Sequence, residues 1–142
     1  MGRRRAVTDA VVVDTSAWIE YLRQTGSSHN LAVRKAIRRT EELLVVEPVY
    51  LELLAGPRND AGVQKIHRFV NQFEIVTMAP VVDSILAAEL YRACRRKGET
   101  VRTMTDCLIA AMALRRGVAV VAKDHDFEVL ARHTPLRLVP TR

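Results

Sequence analysis

The sequence predicts a single α/β domain whose central sheet is mostly parallel. Short apolar runs rich in β-branched residues alternate with longer helical patterns, which is typical of a parallel sheet with helices on its faces. The 142 residues are enough for one hydrophobic core and too few for two ordinary domains. Because the chain shows no repeat, linker or low-complexity tract, we expect one domain over residues 1–142.

The first half of the chain alternates strand and helix. Residues 10–13 form a continuous β-branched run, typical of a strand buried on both faces, which ends at Asp14. A helix should follow with Thr15 or Ser16 as its N-cap, and residues 26–30 are predicted to form a loop. The remaining predicted elements of this half are a basic helix over 31–40, a strand over 43–48 and a short helix over 49–56.

The second half continues the alternation. Its predicted elements are a helix over 59–73, a strand over 73–78, a long helix over 80–97, a helix over 106–116, a strand over 118–122, one or two helical turns over 126–133 and a candidate edge strand over 135–139. Gly98 and Gly117 follow the predicted helices over 80–97 and 106–116, as expected of glycines that end helices. Thr105 is the predicted N-cap of the helix that begins at Asp106.

Composition and charge limit the classes of function. Apolar residues make up 49% of the chain and charged residues 27%, which indicates a globular protein and not a disordered one. The net charge of +6, carried mostly by arginines, suits contact with a phosphate backbone and equally a basic solvated surface. Residues 1–9 are predicted to be a flexible basic extension without a signal-peptide core. No segment has the length of a membrane span, so we expect a cytoplasmic protein. Its two cysteines lack CxxC spacing, so we expect them to be buried thiols.

Four acids from distant parts of the sequence are expected at one edge of the sheet, because open parallel sheets bind ligands beyond the carboxyl ends of their strands. They are Asp14 at the end of the first strand, Glu52 in the short helix after the second, Asp106 at the start of a helix and Asp124 after the fourth strand. Carboxylates that lie this close repel one another unless a cation lies among them. Oxygen ligands without histidine suit Mg²⁺, with Mn²⁺ as a substitute.

Four segments of the sequence carry a family resemblance. They are VVVDTSAWIEYL, VYLELLAG, RTMTDCLIAAMAL and VVAKDHDF, in this order within residues 11–127. Together they resemble the PIN-domain ribonucleases, and most closely the VapC toxins of bacterial toxin–antitoxin pairs. The resemblance implies a PIN-like three-layer α/β/α fold and Mg²⁺-dependent cleavage of RNA, with tRNA as one candidate, that inhibits translation and growth. It also implies a VapB-type antitoxin as partner and a homodimer.

The resemblance also assigns roles to individual acids. It implies catalytic roles for Asp14, Glu52, Asp106 and Asp124. Three of these, Asp14, Asp106 and Asp124, are the expected metal ligands, and Glu52 and Asp126 are further candidates, directly or through water. Asp126 also stands where an N-cap of the last helix is expected, which favours Asp124 as the fourth ligand.

Other positions are less closely defined by the pattern. The family usually has Thr or Asn where this chain has Ala122 or Lys123, so the identity of the fourth ligand stays open between the two neighbouring acids. Candidate RNA contacts are Ser16, Arg102, Arg115 and Arg116. For each of these four, an ordinary capping or surface role is the alternative.

Two acids outside this set have simpler expected roles. Glu47 lies nearer than Glu52 to the end of the second strand and is the alternative to it, although the match LELLAG favours Glu52. Asp83 matches no part of the pattern and is expected to be solvated or to cap a helix.

Other functional interpretations require residues that this chain lacks at key positions. A receiver-like phosphotransfer domain would carry two adjacent acids after the first strand, but Thr15 follows Asp14. A phosphatase-like domain would need a second acid where Ser16 stands. A catalytically silent RNA-binding PIN domain is the third alternative, and the complete set of acids argues against it.

Overall fold

The computed structural model describes residues 9–141, in which four strands form one sheet. These are β1 (Val11–Val13), β2 (Leu43–Val46), β3 (Glu74–Val76) and β4 (Ala119–Val121). Their spatial order is β3-β2-β1-β4, and every pairing is parallel, which confirms the predicted fold class. The basic extension predicted for residues 1–9 lies outside the described residues, apart from Asp9.

Seven α-helices occur in the same part of the chain. They are α1 (Thr15–Leu22), α2 (Ser28–Ile37), α3 (Glu47–Ala55), α4 (Asp60–Val70), α5 (Val82–Arg96), α6 (Met104–Arg116) and α7 (His125–His133). Helix α1 packs on α2, and α5 packs on α6 and α7, so the sheet lies between two helical layers in the expected α/β/α arrangement. Within residues 9–141, no helix is both long and apolar enough to cross a membrane.

The core fixes the elements that carry the acids. All four residues of β2 are buried, as expected of a parallel strand that helices cover on both faces. Helix α6 is completely buried over residues 109–113, where three alanines allow close packing against neighbouring elements. Cys94 and Cys107 are buried free thiols, as predicted. Because α6 is anchored along its middle, Asp106 in its first turn has a fixed position.

Two helices in the first half of the chain begin earlier than the sequence predicts. Helix α2 begins inside the predicted loop at 26–30, because the Ser27 hydroxyl accepts the Asn30 N–H (3.1 Å) and so caps the helix. Helix α3 begins at Glu47, directly after β2, with Pro48 in its first turn, where the missing N–H of proline is not needed. Strand β2 accordingly ends at Val46, two residues before its predicted end.

The ends of α6 and the C-terminal segment also differ in detail from prediction. Thr103, and not Thr105, is the N-cap of α6, since its hydroxyl accepts the N–H of Asp106 (3.3 Å). Gly117 ends the helix as predicted, with a φ of 69° in the left-handed region. Residues 135–139 make one isolated bridge to β4, so the predicted edge strand does not form.

Candidate active site

The carboxyl ends of β1 and β4 lie side by side and bring two acidic turns together. The N–H of Asp14, the first residue after β1, donates to the carbonyl of Val121 at the end of β4 (2.9 Å). Asp14 itself caps α1, because its Oδ2 accepts the N–H of Ser16 (3.1 Å). Asp124 caps α7 in the same way, with Oδ1 accepting the N–H of Asp126 (3.0 Å). Each of these two acids is thus held by the helix that follows it, and neither Thr15 nor Ser16 is the cap of α1.

The hydroxyl of Ser16 joins the two acidic turns. Its Oγ donates to Oδ2 of Asp14 (2.7 Å) and accepts the backbone N–H groups of Lys123 (2.9 Å) and Asp124 (3.1 Å). The hydroxyl hydrogen is therefore used inside the protein in this conformation. This arrangement favours a role in positioning Asp14 and Asp124 over direct contact with RNA.

Lys123 supports the same turn from outside, at the place where this chain departs from the family pattern. Its Nζ lies 3.2 Å from Oε2 of Glu20 on α1. The other carboxylate oxygen of Glu20 accepts the hydroxyl of Thr25 (3.1 Å). The ion pair fastens the β4–α7 turn to α1.

Asp106 completes a compact group of carboxylates, which we call the acid cluster: Asp106, Asp124 and Asp126. One oxygen from each of the three lies within 4.8 Å of the other two. Asp106 is only 8% exposed, and its Oδ2 is buried without a hydrogen-bond partner among the described residues. An unpaired buried oxygen of this kind is costly, and a cation ligated there would remove the cost.

The electrostatics of the cluster also favour a bound cation. Burial, together with the negative charges of Asp14 and Asp124, raises the pKa of Asp106 to about 7. Burial likewise raises the pKa of Asp14, against the lowering effect of its hydrogen bonds from Ser16, and the charge of Glu52 adds to the increase. Both shifts favour the protonated carboxyl, and a bound cation would oppose them.

Glu52 lies beside Asp14. It is exposed on α3, and its Oε1 accepts the hydroxyl of Thr15 (2.7 Å), which places it near Asp14 and outside the acid cluster. The alternative acid, Glu47, instead accepts the N–H of Met78 (2.8 Å) and holds the segment after β3. Of the two glutamates, the structure brings Glu52 towards the other acids.

The expectation that Asp126 caps α7 is wrong. The helix begins one residue earlier, at His125, so Asp124 has the extended backbone of an N-cap and Asp126 lies within the first turn. Asp126 is 2% exposed, and its Oδ2 accepts the backbone N–H of Arg102 (3.0 Å). Both acids of KDHDF thus reach the cluster, one as a cap and one from inside the helix.

Arg102 also contacts the cluster through its side chain. Its Nη2 lies 2.8 Å from Oδ1 of Asp124, and its Nε lies 3.2 Å from Oδ1 of Asp126. The arginine side chain is nevertheless 69% exposed. It lies on the exposed side of the site, and it makes no hydrogen bond to the buried Oδ2 of Asp106.

The other two candidate arginines pair elsewhere. Arg115 binds Asp83 with two hydrogen bonds (2.8 and 3.0 Å) and donates to the carbonyl of Thr77 (3.1 Å). Asp83 is completely buried, so the expected solvated role is wrong; its Oδ2 also accepts the N–H of Ala79 (2.7 Å), just before α5. No local pattern indicates its partner on another helix. Arg116 lies 2.9 Å from Oε2 of Glu74. In this structure Arg115 and Arg116 are engaged in contacts away from the acid cluster.

The donor atoms fit a hard divalent cation. The acid cluster offers only carboxylate oxygens, with Asp14 and Glu52 beside it, and Mg²⁺ and Mn²⁺ prefer such ligands with water completing an octahedral shell. The buried, unpaired Oδ2 of Asp106 is the atom that most clearly lacks a partner. The site can therefore hold an ion at the carboxyl edge of the sheet, open on the side of Arg102.

Known proteins resemble this chain in both sequence and fold. The profile of the PIN domain matches residues 11–133. Ribonuclease VapC11 of Mycobacterium tuberculosis is 41% identical over 133 residues, which cover 93% of this chain and 99% of the relative. The solved structure of VapBC2 from Rickettsia felis, bound to a DNA fragment from its promoter, superposes with a TM-score of 0.73 at 18% identity and covers 94% of this chain and 99% of that one. VapC20 of M. tuberculosis, described as a toxin that cleaves the sarcin-ricin loop, superposes with a TM-score of 0.58 at 17% identity, over 84% of this chain and 93% of its own.

Proposed function

Since the chain belongs to the PIN-domain family and, within it, to the VapC ribonucleases of toxin–antitoxin pairs, we propose that it is a Mg²⁺-dependent endoribonuclease. The reaction is hydrolysis of an RNA phosphodiester. A water oxygen forms a bond to phosphorus, the bond between phosphorus and the 3′ oxygen breaks, and that oxygen leaves with a proton. The products are a 5′-phosphate and a 3′-hydroxyl.

The buried, unpaired Oδ2 of Asp106 within the acid cluster is the observation that supports this proposal best. Asp14, Asp106 and Asp124 hold the ion, and Glu52 and Asp126 add ligands directly or through water. When bound, Mg²⁺ lowers the pKa of a water molecule and neutralises charge on the phosphoryl oxygens.

The remaining parts of the site position these acids and the substrate. The Ser16 hydroxyl keeps Asp14 and Asp124 in register through its three hydrogen bonds. Arg102 is exposed at the rim, so its guanidinium is available to bind an RNA phosphate once it leaves the acids. The protein's contribution is then mainly geometric. The fixed acids lie on one side of the scissile phosphate, and the guanidinium of Arg102 lies on the other.

The partners of this chain follow from the same family membership. We propose that a VapB-type antitoxin silences it, as the known complexes of its structural neighbours suggest, and that the chain forms a homodimer in the cytoplasm. Co-expression with the product of the adjacent gene should relieve growth inhibition and yield a stable complex. Growth inhibition that the adjacent gene leaves unchanged would contradict the antitoxin, and sedimentation of the isolated chain as a monomer would contradict the homodimer.

The substrate is a structured RNA, and tRNA is the first candidate to test. RNA recognition depends largely on folded shape and exposed loops, so the grooves around the acid cluster, and not its ligands, choose the target. Sequencing of RNA 5′ ends from cells that express the chain would map the cleaved positions. A sharp set of new ends in one RNA is the expected result.

The proposal is tested most simply with purified protein. Cleavage of total tRNA should require Mg²⁺ or Mn²⁺, and Asp14→Asn should remove it while the circular dichroism spectrum stays unchanged. If the wild-type chain binds RNA but does not cleave it with either ion, the silent RNA-binding alternative is correct.

A further inference from the structure

The guanidinium of Arg102 occupies the same carboxylates that the proposed metal site needs. Asp124 Oδ1 and Asp126 Oδ1 both accept hydrogen bonds from it, at 2.8 and 3.2 Å. These two acids belong to the group of three whose oxygens lie within 4.8 Å of one another. A cation belonging to the chain itself therefore already lies on part of the ion-binding surface.

Backbone contacts, and not only the side-chain ion pairs, hold Arg102 beside the acid cluster. The N–H of Arg102 donates to Oδ2 of Asp126 (3.0 Å), and Thr103, the next residue, caps α6. The backbone at this point is therefore fixed beside the cluster. The side chain, which is 69% exposed, can leave the acids without moving the backbone or unpacking the core.

We propose that Arg102 is a built-in counter-cation that neutralises the acid cluster in the metal-free protein and competes with the divalent ion for Asp124. The proposal rests on the function proposed above. Asp124 cannot give the same oxygen fully to a guanidinium and to a metal ion, and two cations placed this close repel each other. Binding of the ion therefore displaces the guanidinium from Asp124.

Replacing the guanidinium of Arg102 by a metal ion at Asp124 should cost little free energy. Exposed ion pairs contribute little net free energy, since water and salt screen them, so the guanidinium is held weakly. The buried Oδ2 of Asp106 is not reached by Arg102 and stays available to the ion. The arginine thus limits repulsion in the empty site but lowers the affinity for metal.

The test is the affinity for Mn²⁺ without RNA, measured by isothermal titration and by the loss of the free-ion signal in electron paramagnetic resonance. Arg102→Ala should lower the Kd for Mn²⁺ by about three- to tenfold, the effect expected for removing one unit charge that, once displaced, lies about 6–12 Å from a divalent ion in a water-like dielectric. Arg102→Lys keeps the charge and should restore most of the wild-type Kd. The ratio between wild type and Arg102→Ala should shrink at high salt.

Arg39→Ala is the matched control. Arg39 is also an exposed arginine paired with two acids, Asp9 and Glu42, both at 3.3 Å, but it lies at the amino end of the strands. Its removal lowers the net charge equally and should leave the Kd for Mn²⁺ unchanged. A similar gain in both variants would mean that only net charge matters and would overturn the proposal.

The remaining outcomes separate this proposal from the proposed function. If Asp106→Asn abolishes Mn²⁺ binding but Arg102→Ala binds the ion no more tightly than wild type, the ion site is correct and the competition is refuted. If Asp106→Asn binds Mn²⁺ as tightly as wild type, the acid cluster is not the ion site and both proposals fail. A cooperative melting transition in every variant would show that the comparison concerns folded protein.

Discussion

Replacing Asp106 by asparagine should stabilise the metal-free protein while removing its activity. The pKa of Asp106 is raised from 3.8 to about 7, mainly by burial. A group whose pKa is raised on folding contributes stability below its unfolded pKa, and this contribution is lost as the pH rises through the folded pKa. This shift in the pKa of Asp106 corresponds to a free-energy difference of about 4 kcal/mol. Because water on the open side of the cluster screens the charges, we expect about half of this free energy to be gained. Asp106→Asn should therefore raise the free energy of unfolding by roughly 2 kcal/mol at about pH 8.

The measurement is urea unfolding in EDTA near pH 8 and again near pH 5. The variant should be more stable than wild type at the higher pH, and the difference should shrink at the lower pH, where Asp106 is protonated in the folded wild type but still ionised in the unfolded chain. Adding Mg²⁺ at the higher pH should stabilise wild type but not the variant, since an ion stabilises only the state that binds it. Glu41→Gln, which removes an exposed acid remote from the cluster, is the control and should change little.

Two results would refute this reasoning. A loss of stability in Asp106→Asn near pH 8 in EDTA would mean that burial and the neighbouring acids do not destabilise the charged carboxylate. A stability difference that is the same at both pH values would mean that the substitution acts through packing and not through charge.

Three further predictions follow from contacts around the site. Ser16→Ala should cost about 1–2 kcal/mol of unfolding free energy, because it leaves hydrogen-bonding groups unpaired, and should raise the Mg²⁺ concentration needed for half-maximal cleavage; a thermal melt and an Mg²⁺ titration measure the two effects. Asp124→Asn keeps the helix cap, so it should melt like wild type but cleave poorly, and Asp126→Asn should also impair cleavage; full activity of Asp126→Asn would exclude Asp126 from the ion site. Arg115→Ala strands the buried charge of Asp83 and should cost about 3–5 kcal/mol, measured by urea unfolding; a loss below about 1 kcal/mol would show that water compensates the pair.

The alternation of strand and helix was predictable because it depends on local periodicity. The β-branched run before Asp14 and the alanine-rich helix after Asp106 each indicate an element by themselves, and parallel pairing then brings the two acids to one edge. What the sequence could not decide is a shift of two residues in the position of the N-cap of α7. KDHDF offers two acids, Asp124 and Asp126, either of which can cap a helix, and helix boundaries are uncertain at that level.

Contacts between distant elements were the other part that the sequence did not reveal. Arg115 and Asp83 are 32 residues apart, and their pairing depends on how α5 packs against α6. Arg102 and Asp126 are 24 residues apart, and their contact likewise depends on how distant elements pack, here α7 beside the start of α6. No local pattern encodes such pairs, since each side chain alone looks like an ordinary surface group.

The most direct test of the account is the rate of tRNA cleavage as a function of Mg²⁺ concentration, measured side by side for wild type and Asp106→Asn near pH 8. The account predicts saturable activation of wild type, complete loss in EDTA, and no cleavage by the variant at any Mg²⁺ concentration, although the variant is the more stable protein. Cleavage by wild type that continues undiminished in EDTA, or by Asp106→Asn at the wild-type rate, would contradict it.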